Sequence, residues 1–266
     1  MDPMSAVARL ILTALLPLLA VGCAAMGQDP KEDWSAQRFY EEAQAALERG
    51  NYEQAVSHYE TLEARYPFGP YAQQAQLEIA YAYHKAQEPE MALAAIDRFL
   101  RMNPRHPHVD YAYYLRGRVN AGPEPGILDR LFNRDPARRD ANPLQQAFED
   151  FGTVVRRYPD SRYARDARER MVHLRNQLAA HEMHVAGHYM RRGAWLAAAR
   201  RGAYVVEHYA GAQAVPDALT VMVRAYRHLG LEDLSQDALR VLEENFPERA
   251  AGLRQAAAGS TPQDEG

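Results

Sequence analysis

A unit repeated five times constrains this chain more than any other feature. A small residue recurs near the start of a helical pattern at Ala55, Ala92, Ala147, Ala198 and Ser235. Twelve residues after each comes a proline or its replacement: Pro67, Pro104, Pro159, Ala210 and Pro247. The triplets ending on that slot keep one register: Arg65-Tyr66-Pro67, Met102-Asn103-Pro104, Arg157-Tyr158-Pro159, His208-Tyr209-Ala210 and Asn245-Phe246-Pro247. A chain with this self-similarity is built from one supersecondary unit stacked on copies of itself.

A second set of small residues defines the unit. Ala43, Ala80, Ala186 and Val223 each lie twelve residues before the first set, and Gly117 stands in the same place for the third unit. Two antiparallel helices that cross closely need small side chains in the middle of the first and at the start of the second. That is the tetratricopeptide (TPR) pattern, with a period near 34. Gly50, Gly193 and Gly230 fall in the turn between the two helices, where a left-handed conformation costs glycine little. Tyr59, Ile96 and Phe151 are the bulky residues expected to fill the space behind each hairpin. The pattern predicts an all-α fold, a TPR superhelix of five helical hairpins.

The period is irregular in two places. From Ala92 to Ala147 the step is 55 residues, against 37 from Ala55 to Ala92. The eighteen additional residues fall between the two helices of the third unit, about Asp110–Ala121 and Leu144–Arg157. They carry Gly122-Pro123-Glu124-Pro125 and Asn133-Arg134-Asp135-Pro136. Pro, Gly and Asp at that density predict a long loop, with one turn around Ile127–Phe132. From Ala147 to Ala198 the step is 51, fourteen more than 37, or about four helical turns. The stretch Tyr163–Arg191 has no proline, so one long helix is expected to link units three and four.

The N-terminus reads as an address. Leu10–Gly22 is too short for a spanning helix and has the size of a signal-peptide core. It runs into Leu19-Ala20-Val21-Gly22-Cys23, which resembles a bacterial lipobox. The small residues give a membrane peptidase access to the bond before Cys23, and the thiol takes the diacylglyceryl group. Cys23 is the only cysteine in the chain, which excludes an internal disulfide framework. Ala24 in place of Asp favours the outer membrane, with the protein lipid-anchored on its periplasmic face. The expected organisation is a signal peptide (1–22), a tether (23–33), an N-terminal TPR half (34–121), an insert loop (122–143), a C-terminal half (144–252) and a disordered tail (253–266).

Chemistry-bearing motifs are sparse. The chain has 31 Lys plus Arg against 35 Asp plus Glu, a formal charge of −4, which argues against a nucleic-acid binder. His181, His184 and His188 share a helix face, but the sequence there is not HExxH, and a polar face is the simpler reading. No P-loop, GxSxG, GxGxxG or EF-hand pattern occurs, so no catalytic residues, cofactor or metal are expected. The first helices of the units should line a concave groove. Counting from their small residues places Tyr40, Gln44, Leu77, Tyr81, His84, Tyr111, Tyr114 and Arg118 there. Tyrosine offers an apolar face and a hydroxyl, suited to an extended peptide, and Arg118 could pair a carboxylate; inter-repeat core is the alternative for each tyrosine. A second candidate surface gathers Arg191, Arg192, Arg200 and Arg201 around Trp195, a hot-spot composition.

Several segments together resemble the BamD family of outer-membrane lipoproteins. They are Arg65–Lys85 (RYPFGPYAQQAQLEIAYAYHK), the insert with Arg134-Asp135-Pro136, FEDFGTVVRRYPDSRY at Phe148–Tyr163, and Arg192-Gly193-Ala194-Trp195. The resemblance runs from about Trp34 to Pro247. It implies a non-catalytic scaffold of the β-barrel assembly machinery. Its N-terminal repeats would bind the targeting segment of unfolded outer-membrane β-barrel proteins. Its C-terminal repeats would dock the last periplasmic domain of the barrel-forming subunit BamA, with Arg201 the residue most expected to meet an acidic group there. The lipoprotein BamC would be a further partner. A TPR lipoprotein adaptor for peptidoglycan synthesis or secretion machinery is the alternative.

Overall fold

Small residues at fixed spacing produce paired helices throughout the computed structural model, which describes residues 31, 33–123 and 141–258. Among these residues there is no strand, and eleven helices follow in order. They are α1 Ala36–Glu48, α2 Tyr52–Arg65, α3 Pro70–Lys85, α4 Pro89–Met102, α5 Val109–Ala121, α6 Ala141–Arg157, α7 Ala164–Arg191, α8 Trp195–His208, α9 Val215–His228, α10 Glu232–Asn245 and α11 Pro247–Ala258. Taken pairwise, α1 to α10 make five TPR-type hairpins. The chain divides into two compact units, Met1–Ala75 and Gln76–Gly266, with the boundary inside α3. The signal segment, Cys23 and the turn expected at Ile127–Phe132 lie outside the described residues.

The crossing points are where the sequence places them. Ala43 with Ala55, Ala80 with Ala92, and Ala186 with Ala198 are all fully buried. Gly117, Ala147, Val223 and Ser235 are buried as well. Gly117 shows the reason for the small residue most directly. A Cβ on it would sit 2.8 Å from Cε1 of the buried Phe151 ring, nearer than carbon atoms approach. Gly50, Gly193 and Gly230 close their turns with φ of 76°, 70° and 71°. In the second unit Gln87 takes that place with φ 63°, a backbone conformation that disfavours a side chain. Ser35 and Asn51 cap α1 and α2, each side-chain oxygen accepting from a backbone N–H three residues on, at 3.2 Å.

Three apolar clusters hold the second unit. Leu77, Ala80, Ile96, Phe99, Val109 and Leu115 join α3, α4 and α5. Phe151, Val154, Leu174, Leu178 and Val205 join α6, α7 and α8. Leu219, Val223, Leu242, Ala250 and Leu253 join α9, α10 and α11. The long helix is realised as α7, 28 unbroken residues or about 42 Å.

Two boundaries differ from expectation. α6 begins at Ala141, one turn earlier than Leu144, because Pro143 in a first turn gives up no hydrogen bond. The tail is not irregular from 253 onward. Pro247 opens α11 instead of closing the fold, Ala250 and Leu253 are buried against α9 and α10, and the alanine run carries the helix to Ala258.

Candidate functional site

α5 supplies the centre of a groove in the second unit. Tyr111, Tyr114 and Arg118 follow at i, i+3 and i+7, so one face of the helix presents all three. Together with Tyr81 and His84 from α3 and Arg170 from α7 they line a cavity of about 720 Å³. Lys85, Gln87, Pro89, Leu115, Val119, Gly122 and Pro123 complete its wall. Five of the eight residues expected in a groove are thus brought together.

A residue that sequence reasoning missed organises the rings. Tyr163, just ahead of α7, stacks on Tyr114 with ring centroids 4.8 Å apart. It also leans on Tyr111 at 5.2 Å. Asp166, one turn into α7, accepts from the Tyr114 hydroxyl at 2.7 Å and from Arg170 Nε at 2.6 Å. Burial works against ionisation of Asp166. The hydrogen bonds from Tyr114 and Arg170 outweigh it and hold the carboxyl below the usual range. The charge of Arg170 is therefore matched within the protein. Arg118 makes no hydrogen bond or ion pair with another described residue, which leaves its guanidinium for a ligand. Burial, with Arg118 and Lys85 nearby, pushes the His84 imidazole down and favours its neutral form. Burial raises the Glu78 carboxyl, and burial with Glu78 beside it raises the Tyr111 phenol. The groove combines aromatic faces, neutral hydrogen-bonding groups and two cations, Arg118 and Lys85.

Three expected groove residues do other work. Tyr40 is only 8% exposed; it packs on Tyr59 and Tyr71 within the first unit, and its hydroxyl accepts from Gln44 at 3.0 Å. It is a core tyrosine, and Gln44 is its hydrogen-bond partner. Leu77 is buried in the α3–α5 cluster. The helical period turned Tyr40 and Leu77 inward, the alternative that a 3.6-residue repeat leaves open.

Beneath the groove lies a polar network that the repeat pattern does not signal. Arg116 donates from Nε and Nη2 to the buried Asp150 at 2.6–3.1 Å, and from Nη1 to Asp97 at 2.7 Å. Burial raises the Asp150 carboxyl against the pull of Arg116. The network ties α4, α5 and α6 together and fixes the rotation of the helix that carries Tyr111, Tyr114 and Arg118.

The second surface lies on the fourth hairpin. A cavity of about 760 Å³ is lined by Tyr189, Trp195, Leu196, Arg200, Arg201, Tyr204 and Leu229, with the Gly193 turn at its edge. Trp195 stacks flat on His228 from α9, centroids 3.9 Å apart at 9°. It is therefore fixed, and Leu196 beside it is 49% exposed. Arg201 is not free for a partner as expected. Its Nη1 donates to Glu182 of α7 at 2.9 Å across the hairpin, and that hydrogen bond holds the guanidinium charged. Arg200, one residue earlier, is exposed and lines the same cavity. Arg191 and Arg192 are exposed outside that lining. His181, His184 and His188 all stand on α7, and no group of three or more His, Cys, Asp or Glu among the described residues could hold a metal. No described helix is long and apolar enough to cross a membrane.

Comparison with known proteins adds an independent line. Residues 32–242 match the YfiO family, described as outer membrane lipoprotein. The chain is 43% identical over 244 residues to the outer membrane protein assembly factor BamD of Neisseria meningitidis serogroup B, covering 90% of this chain and 91% of that one. It is 39% identical to BamD of Xylella fastidiosa strain 9a5c, covering 87% of this chain and 80% of that one. For BamD of Vibrio cholerae the identity is 38%, covering 88% and 97%.

Proposed function

Because the chain belongs to the BamD family of outer-membrane lipoproteins, we propose that this assembly factor is a scaffold with two binding surfaces and no catalytic step. It acts in outer-membrane protein assembly, at the outer membrane. The Tyr81–Tyr111–Tyr114–Arg118 groove takes the C-terminal targeting segment of an unfolded β-barrel protein. The Trp195–Leu196–Arg200 surface docks the last periplasmic domain of BamA. BamC is a further partner, and lipidation of Cys23 holds the protein on the periplasmic face.

One observation carries the substrate reading: a guanidinium, Arg118, that bonds to no other described residue and sits among stacked tyrosines. An aromatic side chain next to a terminal carboxylate satisfies both features, one by stacking and one by a charge-assisted hydrogen bond. On the docking surface Arg200 replaces Arg201 as the cation offered to an acidic partner, since Arg201 already serves Glu182.

The test is titration of a short peptide ending in phenylalanine, with a free or an amidated C-terminus. Amidation should lower affinity for the native chain by roughly tenfold or more. Arg118→Gln should do the same, and the two losses should not add, because they remove one interaction from its two ends. Equal binding of free and amidated peptide to the native chain contradicts the assignment.

A further inference from the structure

Lys31, near the end of the expected tether, and Trp34, just ahead of α1, are folded onto the protein. Lys31 and Trp34 close a turn, with the Trp34 N–H donating to the Lys31 carbonyl at 3.2 Å. Two side chains from the end of α2 grip the backbone of that turn. Arg65 Nη1 donates to the Lys31 carbonyl at 2.7 Å, and the Tyr66 hydroxyl donates to the Trp34 carbonyl at 2.8 Å. The indole itself packs on Phe39 and His58, at 5.1 and 5.8 Å between centroids. Both of those are buried, at 0% and 3% exposure. The Arg38 guanidinium lies 4.6 Å from the indole centroid on the same hairpin. These contacts all fall within the first compact unit, Met1–Ala75. Neither the repeat pattern nor the groove requires them.

We propose that Lys31 and Trp34 form a strap that fixes the outer end of the lipid leash, so that the first described contact with the body comes eight residue steps after Cys23 and not twelve. The inference rests on the reading of Cys23 as the lipidated residue. Eight residue steps from Cys23 to Lys31 reach at most about 26–29 Å, whereas twelve steps to Ser35 reach about 40–43 Å. With the strap closed, the α1–α2 hairpin stays within about one leaflet-to-leaflet distance of the membrane surface. Opening it lengthens the leash by about half. The strap makes the anchor a positioning device for the first hairpin as well as a means of retention.

The chain offers a direct readout, because Lys31 and Lys85 are its only lysines. A lysine-specific endoprotease acting on the lipidated full-length protein, bound to phosphatidylethanolamine–phosphatidylglycerol vesicles, can free the body from its anchor only by cutting at Lys31. Cleavage tracks the population in which the strap is open. Trp34→Ala should cut at Lys31 at least about tenfold faster than the native chain. Tyr66→Phe keeps the ring, loses one hydrogen bond and should cut a few-fold faster. Cutting at Lys85, inside α3, should stay slow in all three and shows that the body is folded. Equal rates at Lys31 in the native and both variant chains overturn the strap. Protein found free of vesicles before any cut overturns the Cys23 anchor instead, while the mass of the cleaved chain still reports on the strap.

Discussion

Gly117→Ala tests whether the close crossing of α5 and α6 is what the repeat's small residue is for. The added methyl would lie 2.8 Å from Cε1 and 3.0 Å from Cδ1 and Cζ of Phe151, whose side chain is fully buried. Carbon atoms rest at about 3.5–4.0 Å, so the ring must retreat by somewhat less than 1 Å into a packed core. Overpacking of that kind costs about 1–3 kcal/mol. Alanine recovers up to about 1 kcal/mol of helix propensity, so the middle of that range leaves a net loss of about 1 kcal/mol. At about 2–4 °C per kcal/mol for a domain this size, the melting point should fall by about 2–4 °C. Gly252→Ala is the matched control: it sits inside α11 with no atom within 4 Å of the new methyl, and should be neutral or stabilising. Because Phe151 packs on Tyr114 at 5.8 Å, the first variant should also weaken peptide binding. Thermal unfolding and peptide titration of both variants give the answer. A Gly117→Ala chain as stable as the native one, with the control behaving normally, refutes the packing argument.

Gln87→Gly removes a side chain from a left-handed backbone position and should raise stability by about 1 kcal/mol, read as a higher denaturant midpoint. Asp150→Ala leaves the half-buried Arg116 with Asp97 as its one carboxylate partner and should cost about 1–3 kcal/mol, whereas a distant surface Asp→Ala should cost little. Asp166 has a folded-state pKa below its unfolded value, so its contribution to stability is complete above about pH 4 and disappears as pH falls through the depressed value. Asp166→Asn should therefore flatten the acid limb of the stability profile, and an unchanged limb would show that the Tyr114–Asp166–Arg170 contacts are not maintained in solution.

The sequence carried the hairpins because a small residue has one job at a helix crossing, and all ten of those positions are buried. It carried the long α7 because a missing proline is as informative as a present one. It was weaker where a residue type serves two purposes. A tyrosine on the first helix of a unit can face the groove, as Tyr111 does, or the core, as Tyr40 does, and a modest rotation of the helix decides which. Pairs between distant helices were not legible. Arg116 with Asp150 spans 34 residues and Arg201 with Glu182 spans 19, and no periodicity announces either. Gly202 was missed for a related reason. A Cβ there would meet the Ala218 carbonyl at 2.9 Å, a contact with the next hairpin and not with its own partner helix.

Photo-crosslinking from single positions in growing cells tests the central claim, that two separate surfaces serve two classes of partner. A photoreactive side chain in place of Tyr111 should capture unfolded outer-membrane β-barrel proteins and little of the barrel-forming subunit. The same group in place of Arg200 should capture that subunit. Substrate crosslinks confined to position 200, with none at 111, would contradict the account.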